Sequence, residues 1–101
     1  MADIHHIVCC CGGGMGSSLM VKLNVQKVLK ELGREDVTVE HVSLGELSAT
    51  SPDLLVAGRD ITPTLKDYPR IVELFRILDL DELRPKLKEA LETSEEEYWI
   101  K

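Results

Sequence analysis

Short apolar runs alternate with longer amphipathic stretches along this chain, a pattern typical of an α/β domain. The first run, residues 4–10, is rich in β-branched residues and continuous enough to form a strand that is buried on both faces. Residues 37–42 alternate in the manner of a strand, and residues 54–57 and 71–75 are two further apolar runs. The pattern therefore predicts a small four-stranded parallel sheet.

Two longer stretches have the spacing of amphipathic helices. The first begins at Ser17 and ends at Leu32, where the following Gly33 is typical of a helix terminus. Its apolar stripe comprises Val21, Val25, Val28, Leu29 and Leu32. The second helix covers residues 81–93, with Pro85 in its first turn, where a missing N–H costs least. Helical connections between parallel strands predict helices on both faces of the sheet, in a Rossmann-like or phosphatase-like topology.

Three remaining segments give weaker signals. Residues 43–46 have the capping-box pattern, but Gly45 weakens it and favours a short turn or a single helical turn. Residues 64–68 are expected to form one short helix. The tail, residues 95–100, is acidic and then apolar, which predicts a frayed helix end whose apolar residues clip onto the domain.

Length and composition limit the possible functions. At 101 residues the chain has the length of one domain, so residues 1–101 are treated as a single unit. Hydrophobic residues make up 44% and aromatic residues only 4%, which predicts an aliphatic core. The formal net charge of −6 disfavours nucleic acids and anionic membranes as partners of the whole surface. A local site must therefore carry the function.

The cysteines and the uncharged stretch around them indicate a cellular compartment. The uncharged stretch over residues 5–21 is too short and too rich in glycine to span a membrane, and no cationic segment precedes it. We therefore expect a cytoplasmic protein. Cys9, Cys10 and Cys11 are adjacent and odd in number, so they do not form a disulfide framework. In a reducing compartment they are thiols.

The segment after the first predicted strand, residues 11–18, carries the strongest functional signal. Its glycines let successive backbone N–H groups turn inward into an anion-binding nest, and the helix that follows adds the positive end of its dipole. A cysteine at the mouth of such a nest ionises easily, because the same donors stabilise a thiolate and a phosphoryl group on its sulfur. The candidate site comprises Cys11 as nucleophile and the phosphate-binding residues Gly12, Gly13, Gly14, Met15, Gly16, Ser17 and Ser18.

Other glycine-rich phosphate loops fail at particular positions. A Walker loop requires a lysine after its last glycine, where this chain has Ser17, and a dinucleotide-binding loop would require a third glycine at the same position. A cysteine-dependent phosphatase generally needs an arginine six residues after the cysteine to clamp the phosphate, and that position is again Ser17. The loop therefore lacks the charged clamp that a hydrolase of this kind needs.

Residues 7–18 resemble the start of the cytosolic IIB component of a bacterial sugar phosphotransferase system, most of all the ascorbate and galactitol group. That group has a loop of the form Cys-Gly-x-Gly-x-Gly-Ser/Thr-Ser, and Cys11 falls on the phosphorylated cysteine of the family. The resemblance extends to about residue 90, although only the loop is a sharp motif. It implies transfer from a phosphohistidine of a IIA donor protein, through Cys11, to a carbohydrate held by a IIC membrane transporter. It calls for no metal ion, and no cofactor or nucleic acid is expected.

Two departures from the family and two other functions stay open. Cys9 and Cys10 are interpreted as buried strand residues, although a vicinal thiol leaves room for a redox role, and the tail is not typical of the family. The second hypothesis is a regulatory IIB-like module with the same fold, and the third is a cysteine-dependent phosphatase.

Four polar residues outside the loop are weaker candidates. Arg59 and Thr62 follow the third strand and could approach a docked phosphoryl group, although a solvated arginine is the default. His41 is expected to be a half-buried histidine whose hydrogen bonds are satisfied. His5 and His6 begin the first strand at the opposite edge of the sheet, so no catalytic role is expected for them.

Overall fold

The computed structural model describes residues 4–10 and 15–101, and for residues 15 and 16 it describes the backbone alone. The described strands and α-helices are, in chain order, β1 (His6–Cys10), α1 (Met15–Glu31), β2 (Thr38–Val42), β3 (Leu54–Gly58), β4 (Arg70–Leu74), α2 (Leu80–Glu92) and β5 (Tyr98–Ile100). Two 3-10 helices, Leu44–Ala49 and Thr62–Thr64, follow β2 and β3. The chain is therefore an α/β domain, as the apolar pattern predicted.

The sheet is parallel throughout, with the strand order β2-β1-β3-β4-β5. β1 lies between β2 and β3, and its Ile7 is in register with Val39 on one side and Leu54 on the other. Because the strands are parallel, their carboxyl ends all lie along one edge of the sheet. The parallel sheet is confirmed, but the predicted number of four strands is wrong, since the described residues form five.

The fifth strand comes from the tail, where a frayed helix end was predicted. The backbone N–H of Tyr98 donates to the carbonyl of Pro69 at 2.8 Å, and β5 then continues parallel to β4. The Tyr98 hydroxyl donates to the carbonyl of Ala90 in α2 at 3.1 Å, and Arg70 donates to the carbonyl of Glu96 at 2.9 Å. The apolar tail thus contacts the domain as expected, but it does so by extending the sheet.

The two faces of the sheet carry different helices. Both α-helices pack on one face, whose core comprises the apolar residues of α1 and α2 together with Ile7, Cys9, Leu54, Val56, Val72 and Leu74. The opposite face is covered by the two 3-10 helices and the loop after the second, through Leu47, Ile61 and Leu65. Helices therefore lie on both faces, but the α-helices lie on one face only.

The ends of α1 differ from the prediction at the start and agree with it at the finish. The helix begins at Met15, two residues before Ser17, so Met15 and Gly16 have helical backbone instead of the predicted turn. At the other end, Gly33 has a φ of +73°, and the N–H of Arg34 donates to the carbonyl of Leu29 at 2.8 Å, as in a Schellman motif. Leu32 shares the helical spacing of the apolar stripe, but it is 36% exposed, whereas the other four residues of the stripe are buried.

Two of the remaining helices begin at side-chain caps, and the third lies earlier in the sequence than predicted. Asp79 caps α2 by accepting from the N–H of Asp81 at 2.9 Å, and Ser43 and Glu46 form the capping box of the first 3-10 helix. The helix predicted over residues 64–68 is wrong, because the helical turn lies earlier, at Thr62–Thr64.

Candidate functional site

The predicted loop begins where β1, the strand between β2 and β3, ends. Cys10, the last residue of β1, is in register with Val42 of β2 and Ala57 of β3, so the chain leaves the sheet between two neighbouring strands. The predicted nucleophile and the first three glycines of the loop lie outside the described residues, namely Cys11, Gly12, Gly13 and Gly14. Met15 and Gly16 are described by their helical backbone.

The first turn of α1 faces this edge of the sheet with two serines. No acidic residue stands in that turn, so the positive end of the helix dipole is not offset by a carboxylate of the helix itself. Ser17 is half-buried, whereas Ser18 is 1% exposed. The turn therefore brings a buried hydroxyl group to the start of the helix, immediately after the predicted anion-binding loop.

Ser18 is connected to β2 by a hydrogen bond between side chains. Its Oγ lies 3.1 Å from Nδ1 of His41, which is half-buried on the face of the sheet that carries α1. His41 is in register with Cys9 of β1, two residues before Cys11. The expectation of a half-buried, hydrogen-bonded histidine is confirmed, and the sequence analysis had not connected it to Ser18.

An acidic residue of the first 3-10 helix interacts electrostatically with His41. Hydrogen bonds from the Ser43 hydroxyl and backbone lower the pKa of Glu46, and the charge of His41 contributes in the same direction. Glu46 accepts from Ser43 Oγ at 2.8 Å and is fixed at the start of the first 3-10 helix. His41 is therefore hydrogen-bonded to a buried hydroxyl of α1, and its charge acts on an acidic side chain that follows β2.

The loop after β3 brings Arg59 to the same edge of the sheet. The Arg59 guanidinium carbon is 3.7 Å from the centroid of the Phe75 ring, and its backbone N–H donates to the carbonyl of Leu74 at 3.0 Å. A Cβ at Gly58 would lie 2.6 Å from Asp60 Oδ1, so the loop leaves the strand through a tight turn. Arg59 is exposed but stacked on an aromatic ring, which keeps its charge near this edge.

The Thr62 hydroxyl is bonded to Glu73, within the fold, and is not exposed toward the predicted site. Thr62 is completely buried, and its hydroxyl donates to Glu73 Oε1 at 2.5 Å. The same oxygen accepts from the indole N–H of Trp99 in β5 at 3.1 Å. Glu73 therefore connects the loop after β3 to the tail strand, because it accepts hydrogen bonds from both Thr62 and Trp99.

The loop after β4 is held by a carboxylate of α2. Glu82 accepts from the N–H groups of Phe75 at 2.6 Å and Arg76 at 2.7 Å, and Lys86 Nζ lies 2.5 Å from the same carboxylate. Burial by itself raises the pKa of Glu82, but the hydrogen bonds from Lys86 and the two amides outweigh it and hold that pKa below 4.5. The carboxyl edge of β4 thus depends on an ionised Glu82.

The other two cysteines are buried within β1. Cys9 is 0% and Cys10 1% exposed, and their side chains lie in the cores on opposite faces of the sheet. This confirms the interpretation of both as strand residues. Cys11 is thus the cysteine that follows the strand.

Several large apolar side chains remain exposed on α1 and in the loops at the carboxyl edge. They are Leu19, Met20 and Leu23 on the first half of α1, Leu44 after β2, and Phe75 and Leu78 after β4. No helix within residues 4–10 and 15–101 is long and apolar enough to cross a bilayer.

Comparisons with known proteins agree on one family of proteins. A family model described as "PTS system, Lactose/Cellobiose specific IIB subunit" matches residues 6–93. Over 90 residues the chain is 33% identical to the ascorbate-specific PTS system EIIB component of Mycoplasma pneumoniae, covering 85% of this chain and 94% of that protein.

A solved structure has the same fold. It is the lactose-specific IIB component domain of the phosphoenolpyruvate:carbohydrate phosphotransferase system from Streptococcus pneumoniae, with a TM-score of 0.60. The match covers 88% of this chain and 92% of the other, at 16% sequence identity. At this identity the likeness concerns the fold alone.

Proposed function

The chain belongs to the family of PTS system IIB subunits, and from this premise we propose that it carries a phosphoryl group on Cys11. Sugar phosphotransfer is the role of this family. The donor in our proposal is a phosphohistidine of a IIA protein, and the acceptor is a carbohydrate held by a IIC membrane transporter. The protein then acts in the cytoplasm, between these two partners.

The proposed reaction consists of two in-line displacements at phosphorus. The Cys11 thiolate attacks the phosphohistidine, the S–P bond forms, the N–P bond breaks, and the released imidazole keeps both bonding electrons. A hydroxyl group of the carbohydrate then attacks the cysteinyl phosphate, its O–P bond forms, and the S–P bond breaks. The thiolate is regenerated, and the hydroxyl proton passes to solvent. No electron is exchanged with an outside group.

The observation that carries the proposal is the position of the strand end relative to α1. β1 ends at Cys10, between β2 and β3, and α1 begins at Met15, so only four residues connect them. Unpaired N–H groups at a helix start, together with glycine amides, favour a thiolate or a phosphoryl group. Catalysis of phosphoryl transfer depends on such positioning and electrostatics.

The polar residues around this edge support a carrier more than a hydrolase. A cysteine-dependent phosphatase would need a guanidinium where this chain has Ser17, whose hydroxyl offers one uncharged donor. Arg59 is held on Phe75 by its cation–π contact, in the loop after β3. The cysteinyl phosphate is therefore expected to persist until an acceptor arrives.

The exposed apolar side chains of α1 and of the loop after β4 support contact with partner proteins. Leu19 and Met20 follow the serines of α1 and are 41% and 47% exposed. Phe75, which follows β4, is 58% exposed. A IIA donor has to bring its phosphohistidine against this edge, and exposed apolar groups around the loop suit such a contact.

Reconstituted transfer tests the proposal. Membranes containing an ascorbate-type IIC transporter, a matching IIA protein and the phosphoenolpyruvate-driven donor proteins are mixed with this chain, and ascorbate phosphate is measured. Wild-type protein should support its formation and Cys11→Ser should not. Parallel reactions with lactose and cellobiose transporters assign the carbohydrate. Equal product with and without the chain would contradict the proposal.

A further inference from the structure

The tail strand β5 is attached to the domain by side chains on both of its faces. The Tyr98 hydroxyl donates to a carbonyl of α2 on the face that carries the α-helices. Trp99 packs against the core of the opposite face, and its indole N–H donates to Glu73 of β4. The family model matches the chain up to residue 93, so this strand lies outside the matched part.

The indole of Trp99 reaches along β4 toward the carboxyl edge of the sheet. Trp99 is in register with Ile71, but its indole N–H donates to Oε1 of Glu73, two residues further along that strand, at 3.1 Å. The same Oε1 atom accepts from the hydroxyl of Thr62 at 2.5 Å. One carboxylate oxygen therefore holds both the tail strand and the loop after β3, residues 59–65.

The backbone of Glu73 is fixed independently of its side chain. Its carbonyl accepts from Lys86 Nζ of α2 at 2.8 Å, and β4 is paired with β3 on one side and β5 on the other. The side chain is half-buried, and Thr62 and Trp99 are its donors among the described residues. If the indole leaves, the carboxylate can turn to water, and water then competes with Thr62 for it. The conformation of this side chain is thus the element that both donors bias.

We propose that β5 is a strap that closes the loop after β3 through Glu73. With the tail docked, Trp99 keeps the carboxylate on Thr62. With the tail released, the carboxylate turns to water and the loop loosens. The loop begins with Arg59 at the carboxyl edge of the sheet, so a partner that displaces the tail changes how this edge is presented. The inference goes beyond the proposed function, since it does not depend on phosphorylation of Cys11.

The tail strand is short enough to leave the sheet while the rest of the domain stays folded. β5 consists of three half-buried residues and lies at one end of the described sheet. The segment before it, residues 94–97, is exposed. Elements with few buried contacts open at a lower free energy than the core does. Release of the tail is therefore a local opening, whose effect Glu73 transmits to the loop.

Hydrogen exchange of matched variants, read by mass spectrometry, tests the proposal. Trp99→Phe removes the donor to Glu73 and keeps an aromatic ring in β5. Tyr98→Phe is the control, because it removes a hydrogen bond of the same strand and the same length, 3.1 Å, that does not involve Glu73. Peptides that cover residues 59–65 are compared with peptides from α1, and circular dichroism verifies that each variant is folded.

The expected result is exchange at residues 59–65 that is roughly tenfold faster or more in Trp99→Phe, since a hydrogen bond to a charged group is removed. Tyr98→Phe should leave this loop at the wild-type rate, and exchange in α1 should be unchanged in both variants. Three results would each overturn the proposal: unchanged loop exchange in Trp99→Phe, the same acceleration of the loop in Tyr98→Phe, or an equal acceleration of α1.

The coupling must also act from the loop to the tail, because linkage between two sites is reciprocal. Thr62→Val should therefore speed exchange in β5 and increase the quenching of Trp99 fluorescence by acrylamide. In the double variant, the loss of unfolding free energy should be smaller than the sum of the losses in Thr62→Val and Trp99→Phe, since both act on one carboxylate. Losses that simply add, or a tail that Thr62→Val leaves unchanged, would overturn the proposal.

Discussion

Replacing Thr62 by valine tests the contact that holds the loop after β3. The substitution keeps the shape of the side chain but removes the hydroxyl that donates to Glu73 Oε1 at 2.5 Å. Thr62 is completely buried, so solvent does not reach its side chain. Glu73 keeps the Trp99 indole as a donor at 3.1 Å, so the carboxylate loses one of the two donors that it has among the described residues.

The expected cost follows from the charge of the acceptor. A hydrogen bond to an ionised group contributes about 1.5–3 kcal/mol, and the lower part of that range applies because valine no longer buries a hydroxyl. We expect a loss of about 1.5 kcal/mol in the free energy of unfolding, which lowers a urea midpoint by roughly 1 M at a slope of about 1.5 kcal/mol/M.

Urea unfolding with two probes measures this effect. Trp99 is the single tryptophan of the chain, so its fluorescence reports the tail strand, while circular dichroism reports the whole domain. Thr64→Val is the matched control, because its hydroxyl donates to the neutral carbonyl of Ile61 at 2.7 Å on an exposed residue. Equal losses in the two variants would refute the account of Glu73, and a fluorescence change that precedes the circular dichroism change would localise the weakening to β5.

Three further predictions concern the same edge of the sheet. Gly58→Ala should lower stability by about 1–3 kcal/mol in urea unfolding, because the new Cβ would lie 2.9 Å from Cγ2 of the half-buried Ile77 as well as 2.6 Å from Asp60 Oδ1; an unchanged midpoint would contradict this. The lowered pKa of Glu82 stabilises the protein above pH 4.5, and this contribution is lost as the pH falls through the folded-state pKa. Glu82→Gln should therefore flatten the acid side of the stability curve, and an unaltered curve would count against the Glu82 contacts. With Ser17 in place of an arginine, the protein should not turn over an aryl phosphate, and rapid release of the phenol would favour a phosphatase.

The fold was predictable where the pattern is local. The four predicted strands and both α-helices follow from apolar runs and helical spacing, and Gly33 marks the helix end that the structure has. The tail strand was not predictable in this way, because three residues are too few to show a period. Its formation depends on partners distant in the sequence, such as the Pro69 carbonyl and Glu73.

The site was predictable from its loop and less so from its surroundings. The loop motif identifies the family without a structure, whereas the start of α1 at Met15 shows that its last glycine has helical backbone. A signal for the Ser18–His41 contact was present, since Ser18 shares the helical spacing of Val21 and Val25, and His41 alternates with the strand positions. Their pairing requires knowledge of which strand lies beside β1. The partner of Thr62 likewise depends on a strand register that the sequence does not show.

The central claim is that Cys11 alone carries the phosphoryl group. The direct measurement is intact and fragmentation mass spectrometry of the chain after incubation with a phosphorylated IIA protein, using wild type, Cys11→Ser, Cys9→Ala and Cys10→Ala. The buried positions of Cys9 and Cys10 predict one phosphoryl group in wild type and in both alanine variants, and none in Cys11→Ser. A phosphoryl group that persists in Cys11→Ser, or that maps to another residue in wild type, would contradict the account.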